Sequence, residues 1–82
     1  MRKKIKWFAN EMEKVLSNND YKGGWEFEDY DYLFDRLRDE YIELRRELKK
    51  GDENSSNILK ECVDVANFSM MIADVIISNE KE

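Results

Sequence analysis

The chain has 82 residues, which is short for a domain, and a chain of this size buries only about 60% of the surface that it exposes when unfolded. We therefore expect a single domain, residues 1–82. Fourteen basic against 19 acidic residues give a net charge of −5, which argues against binding to nucleic acid or to an anionic membrane. The absence of histidine excludes Ser-His-Asp and Cys-His centres within one chain, as well as His-ligated zinc.

The first predicted helix covers residues 2–17. Proline is absent from the whole chain and glycine occurs three times, which favours long helices. One face of this segment carries apolar residues at steps of three and four: Ile5, Phe8, Met12, Val15 and Leu16. A polar cluster at 17–20 ends it, and an irregular loop follows in which Gly23 and Gly24 are adjacent.

The second helix is predicted to begin after Asp29, an acceptable N-cap, and to end at Gly51. Its apolar stripe consists of Leu33, Phe34, Leu37, Tyr41, Leu44 and Leu48. A third helix is predicted from a cap at residues 55–57 to about Ser78. Short connections favour antiparallel neighbours, so we expect an all-α, antiparallel bundle of about three helices.

Apolar residues lie all round the third helix, which two neighbouring helices in so small a chain cannot cover. We therefore expect the bundle to be completed by oligomerisation, as a homodimer or homotetramer, and we expect Met71→Asp or Val75→Asp to dissociate or unfold it. Asp64, Asn67 and Asp74 interrupt the apolar stretch and argue against a membrane span.

The location predicted for the protein is the cytoplasm. Cys62 is the single cysteine and cannot form a disulfide within the chain. The basic residues 2–6 resemble the start of a signal peptide, but polar residues from Asn10 onward interrupt any apolar segment that would follow.

Acidic residues border the apolar stripes of the second and third helices. At 100° per residue, Glu40 lies at the edge of the second stripe and Glu43 about 60° beyond it. On the third helix, Glu61 and Asp64 border in the same way a stripe made of Ile58, Cys62, Val65, Ser69, Ile72 and Ile76. Helices that pack through these stripes would bring the four carboxylates together.

Four converging carboxylates repel one another and favour a divalent cation, and Mg²⁺ prefers oxygen ligands and commonly joins carboxylates to phosphates. The simpler interpretation is that these residues are solvated or pair with Arg45 and Lys60.

The two acidic pairs, Glu40/Glu43 and Glu61/Asp64, resemble the E-x-x-E and E-x-x-D motifs of MazG-like nucleotide pyrophosphohydrolases. The resemblance spans residues 7–74 and includes the loop at 21–25, the segment 36–40 and the segment 64–74. It implies an all-α oligomer in which these four residues bind Mg²⁺, or alternatively Mn²⁺. Water would attack the α-phosphorus of a nucleoside triphosphate and release pyrophosphate, and Glu43 is the candidate to orient or deprotonate that water.

Four further residues are candidate substrate contacts: Lys22 and Arg36 for phosphate, Trp25 for a base, and Asn67 for the ligand or a carboxylate. Each also has a structural interpretation. Lys22 could be solvated, Arg36 could pair with Asp39 or Glu40, Trp25 could anchor its own loop, and Asn67 could bond across a subunit interface.

The alternative function is a non-catalytic helical oligomer that binds nucleotide or a protein partner through the third helix. A weaker alternative is membrane-surface or RNA contact by the basic first helix, which the net acidity disfavours.

Overall fold

Three long helices form the structure, a computed structural model that describes residues 1–80 apart from the side chains at positions 21 and 52. The helices are α1 (Lys3–Asn18), α2 (Tyr30–Lys50) and α3 (Ser55–Glu80). Within residues 1–80 there is no strand, so the predicted all-α class and the three helices are confirmed. Positions 81 and 82 of the predicted domain lie outside the described residues.

Single turns of 3-10 helix lie between the α-helices, at Asp20–Lys22 before α2 and at Asp52–Asn54 before α3. Of the part of the chain that is described, no helix combines the length and the apolar character needed to cross a bilayer.

Interactions between neighbouring residues determine where α2 begins and ends. The Asp29 carboxylate accepts a hydrogen bond from the backbone N–H of Asp31 at 3.0 Å, as expected of an N-cap. Gly51 ends the helix with φ of +101°, a left-handed conformation that favours glycine. Lys49 and Lys50 lie in the last turn, where their charge complements the helix dipole.

The helices α2 and α3 form an antiparallel hairpin. Near the turn, the Asn54 side chain donates a hydrogen bond to the Glu47 carboxylate. Farther from the turn, the Arg36 guanidinium lies 5.5 Å from the centre of the Phe68 ring. Residues near the end of α2 therefore lie beside the start of α3, and residues near the start of α2 lie farther along α3.

The helix α1 packs against α3. Asn67 of α3 donates a hydrogen bond from Nδ2 to the carbonyl oxygen of Met12 at 3.4 Å. All residues of α1 are described, and none of them is buried. Ile5, which belongs to the predicted apolar face, is 55% exposed. The α2–α3 hairpin therefore forms the centre of the fold, and α1 covers part of α3.

The predicted stripe of α2 is only partly correct. Leu33 is buried, but Phe34 and Tyr41 are 61% and 63% exposed, and Glu40 is buried in their place. A single neighbouring helix covers a narrow part of the α2 surface, so an apolar stripe this wide extends beyond the contact. The helix is turned so that Glu40 lies in the contact with α3 instead of at its edge.

The predicted stripe of α3 is wrong, because none of its six residues is buried and two of them, Ser69 and Ile76, are exposed. The buried residues of α3 are instead Glu61, Val63, Asn67 and Val75. Since apolar residues surround this helix, their periodicity could not identify the covered side. Val75 is only 6% exposed and packs within its own chain, so Val75→Asp would unfold the chain and not only separate subunits.

We expect Leu33→Ala to destabilise the folded chain by about 2–4 kcal/mol, because it removes one of few buried apolar side chains and leaves a cavity. Urea unfolding followed by circular dichroism measures this loss. The matched control is Ile5→Ala, which removes an isomeric side chain from an exposed position and should cost less than about 1 kcal/mol. Equal losses would contradict the assignment of the core.

Candidate metal centre

Two buried carboxylates face each other across the α2–α3 hairpin. Glu40 of α2 and Glu61 of α3 are 8% and 7% exposed. In each of them, Oε2 is buried and has no hydrogen-bond partner among the described residues. Buried charged groups are normally paired or bound to metal, so these oxygens indicate a site that a cation could complete.

A third carboxylate joins this pair. One oxygen each from Glu40, Glu43 and Glu61 lies within 4.8 Å of the other two. Glu43 follows Glu40 by three residues, which places the two side chains on neighbouring parts of the same helix face. Glu43 is exposed, so the cluster is buried on one side and open to solvent on the other.

Asp64, the fourth predicted residue, is half-buried and pairs with Lys60, which also contacts Glu61. Burial is the main cause that raises the pKa of Glu40 to about 7, and the negative charges of Asp64, Glu43 and Glu61 raise it further. The structure thus brings Glu40, Glu43 and Glu61 together, and Asp64 lies close enough for its charge to act on Glu40. Their role as metal ligands stays a prediction.

Two cations flank the acidic residues. Lys60 Nζ lies 3.1 Å from Asp64 Oδ2 and 3.5 Å from Glu61 Oε1, and the bond to Asp64 is the main cause of the raised pKa of Lys60. Arg36 on α2 lies 3.5 Å from both Asp39 and Glu40. The ion pairs expected for Lys60 and Arg36 therefore form, but Oε2 of Glu40 and of Glu61 still has no hydrogen-bond partner in the described part of the chain.

The donor set fits a hard divalent cation. Glu40, Glu43 and Glu61 offer carboxylate oxygens, which Mg²⁺ and Mn²⁺ prefer, and the exposed side of Glu43 leaves room for the waters that Mg²⁺ retains. A bound divalent cation would also reduce the repulsion that raises the pKa of Glu40.

A cleft of about 640 Å³ lies beside the acidic residues, although Glu43 and Glu61 are not part of its lining. Glu40 and Asp64 line it at the metal centre, and the four predicted substrate-contact residues line it as well: Lys22, Trp25, Arg36 and Asn67. Residues predicted from separate parts of the sequence therefore share one cavity.

Trp25 and Asn67 also have structural contacts. Trp25 donates a hydrogen bond from Nε1 to Asp74 Oδ2 at 2.9 Å, which fastens the loop to α3. Gly23 in this loop has φ of +89°, a conformation that favours glycine. Asn67 donates a hydrogen bond to Met12 within its own chain, whereas the alternative prediction for it is a bond across a subunit interface.

Two features of the site could not be predicted from the sequence. Lys60 precedes Asp64 by four residues, a spacing that predicts an ion pair, but its place in the cleft could not be read from this spacing. The bond from Trp25 to Asp74 joins residues 49 positions apart and has no local signal.

No protein-family model, curated protein or solved structure matches this chain. The evidence for the candidate site therefore comes from the geometry of its own residues.

The raised pKa of Glu40 predicts that the metal-free protein loses stability as the pH rises. The pKa is about 7 in the folded chain against an ordinary 4.5, so the folded chain binds this proton more tightly than the unfolded chain. The stabilisation from protonation is complete below pH 4.5 and is lost as the pH rises through about 7. We expect a loss of about 1–2 kcal/mol, because solvent in the cleft screens part of the effect.

Urea unfolding in EDTA at intervals between about pH 5 and pH 8 checks this expectation. Glu40→Gln should flatten the dependence, whereas Glu13→Gln, a change at an exposed glutamate of α1, should preserve it. A pH dependence that survives in Glu40→Gln would show that another group causes it.

Proposed function

We propose that this protein is a MazG-like, Mg²⁺-dependent pyrophosphohydrolase that converts a nucleoside triphosphate to the monophosphate and pyrophosphate. The observation that carries the proposal is the pair of buried carboxylates, Glu40 and Glu61, whose unpartnered oxygens lie between two helices beside an open cleft. Such a pair is costly to fold when both groups are ionised, so it must be neutralised either by a proton on Glu40, as its raised pKa allows, or by a bound cation, which argues for a functional role.

Glu40, Glu43, Glu61 and Asp64 would hold the metal, with Mn²⁺ as an alternative to Mg²⁺. When bound, a divalent ion neutralises phosphate oxygens and lowers the pKa of a coordinated water.

Glu43 is the best candidate to act on the attacking water. It is the exposed member of the close trio, so water can reach its carboxylate. In the proposed reaction, Glu43 accepts a proton from water as the water oxygen bonds to the α-phosphorus. The bond from that phosphorus to the bridging oxygen breaks, and pyrophosphate leaves with the electron pair.

The cleft provides contacts for the substrate. Arg36 lies over the Phe68 ring and pairs with two carboxylates, and these contacts orient its guanidinium for a phosphate. Lys22 lines the same cavity and is a second phosphate contact. Trp25 uses its indole N–H for Asp74, which leaves the ring faces for stacking on a base. Asn67 would contact the ligand or position a carboxylate.

The same proposal includes assembly. Phe34, Tyr41 and Leu48 recur every seven residues on α2 and are 61%, 63% and 50% exposed. An apolar row of this spacing fits a helix of another subunit, in a homodimer or homotetramer. Because nucleoside triphosphates are cytoplasmic metabolites, the proposed location is the cytoplasm.

We expect Glu40→Gln and Glu61→Gln each to reduce pyrophosphate release by at least about a hundredfold, because each removes a negatively charged ligand. Both variants should remain helical, since the substitution relieves repulsion in the metal-free protein. Release of pyrophosphate from a panel of ribo- and deoxyribonucleoside triphosphates, with Mg²⁺ or Mn²⁺, measures the effect.

The matched control is Glu47→Gln, the same substitution two turns later on α2, at a side chain that bonds Asn54 and Lys50. This variant should retain activity. If the unmutated protein hydrolyses no nucleotide, the enzyme proposal fails and the non-catalytic nucleotide- or protein-binding oligomer becomes the better interpretation.

Assembly is tested by Tyr41→Asp, which places a charge in the exposed row of α2. Sedimentation should show that the unmutated protein is a dimer or tetramer and that the variant is a folded monomer, because a charge in an apolar contact is costly to desolvate. Ile5→Asp, at an exposed apolar position on α1, should leave the oligomer unchanged. A monomeric unmutated protein would refute the assembly proposal.

A further inference from the structure

Lys60 contacts the acidic cluster from the α3 side of the cleft. Its Nζ lies 3.1 Å from Asp64 Oδ2 and 3.5 Å from Glu61 Oε1. The side chain is 62% exposed, so its ammonium group touches both carboxylates while it stays accessible to solvent. Lys60 also lines the cleft, together with Arg36 and Asp64.

These two carboxylates belong to the set that is proposed to hold the divalent cation. The ammonium group of Lys60 and a metal ion cannot both bind the same carboxylate oxygens tightly, so they compete for these oxygens. A doubly charged ion that binds several carboxylates at once has the advantage over a single exposed ammonium.

The two flanking cations differ in how firmly they are held. Arg36 contacts Asp39, Glu40 and the face of Phe68. Lys60 has its ammonium on a flexible four-carbon chain, and its ion pairs are both with the acidic cluster. Lys60 is therefore the cation that can leave the carboxylates with the least disturbance of the helices.

We propose that Lys60 is an exchangeable counter-cation, which neutralises Glu61 and Asp64 in the metal-free protein and transfers to a substrate phosphate when a divalent cation occupies these carboxylates. The identity of the cation and of the phosphate ligand rests on the proposed function. After release, Lys60 remains on the α3 side of the cleft and faces a cavity that Arg36 lines from α2. A phosphate in this cavity would receive positive charge from both helices.

The test uses Lys60→Met, which keeps the length and helix propensity of the side chain and removes its charge. Titration calorimetry of the metal-free, full-length protein with MgCl₂ should show an affinity about three- to fivefold higher than in the unmutated protein, the change expected for loss of a partly exposed competing ion pair. Titration with inorganic pyrophosphate at saturating Mg²⁺ should show an affinity about tenfold lower. An ion pair that lies outside the metal and phosphate sites would change neither affinity.

The matched control is Lys14→Met. Lys14 is also an exposed helical lysine with a carboxylate partner, Glu11, at 3.2 Å, and it lies outside the cleft lining. This variant changes the net charge equally and should leave both affinities unchanged.

The outcomes separate the two proposals. If Lys60→Met fails to raise the Mg²⁺ affinity, fails to weaken pyrophosphate binding, or behaves like Lys14→Met, the role of Lys60 is refuted and the proposed enzyme is unaffected. If the unmutated protein binds no Mg²⁺, both proposals fail.

Discussion

The burial of two carboxylates at one helix contact is the constraint on which the remaining features of this structure depend. Glu40 and Glu61 lose most of their contact with water when α2 and α3 pack together. Desolvated negative charges so close to one another raise the free energy of the folded state. Arg36 and Lys60 offset part of this charge through their ion pairs with the carboxylates. The open cleft leaves room for further positive charge from solution.

The apolar core gives little stabilisation to offset this repulsion. Among residues 1–80, the buried apolar residues are Leu33, Val63 and Val75. Several large apolar side chains remain at the surface of α2, among them Phe34 and Tyr41. In this chain, carboxylates occupy part of the contact between α2 and α3. Additional burial of apolar surface is therefore needed, and short chains commonly obtain it by association between subunits. The acidic centre and the proposed assembly are therefore linked through stability.

Local signals predicted the helices well. The capping aspartate Asp29 and the left-handed Gly51 mark the ends of α2 as expected, and α1 is displaced by one residue from its predicted range. These features depend on neighbouring residues and can be read from a single sequence. The covered side of α3 depends on where two other helices pack, and apolar residues all round that helix gave no indication of it.

The acidic cluster was nevertheless predicted, although the stripe used to orient α3 was wrong. Glu61 lies between the predicted stripe and the side that is buried, so it meets α2 under either orientation. Its burial, and that of Glu40 within the contact, could not be predicted, because side-chain periodicity treats a glutamate as a surface residue. The contact between Trp25 and Asp74 required the fold itself, since it joins a loop to a distant helix.

The slight attachment of α1 has a consequence for the size of the cleft. Val15 and Leu16 of α1 form one side of the cavity, yet no residue of that helix is buried. Opening between α1 and α3 exposes little apolar surface, so the backbone amides of α1 should exchange with deuterium at a lower free energy than those of the α2–α3 hairpin. The side of the cavity that α1 forms is thus held less firmly than the two helices that carry the carboxylates.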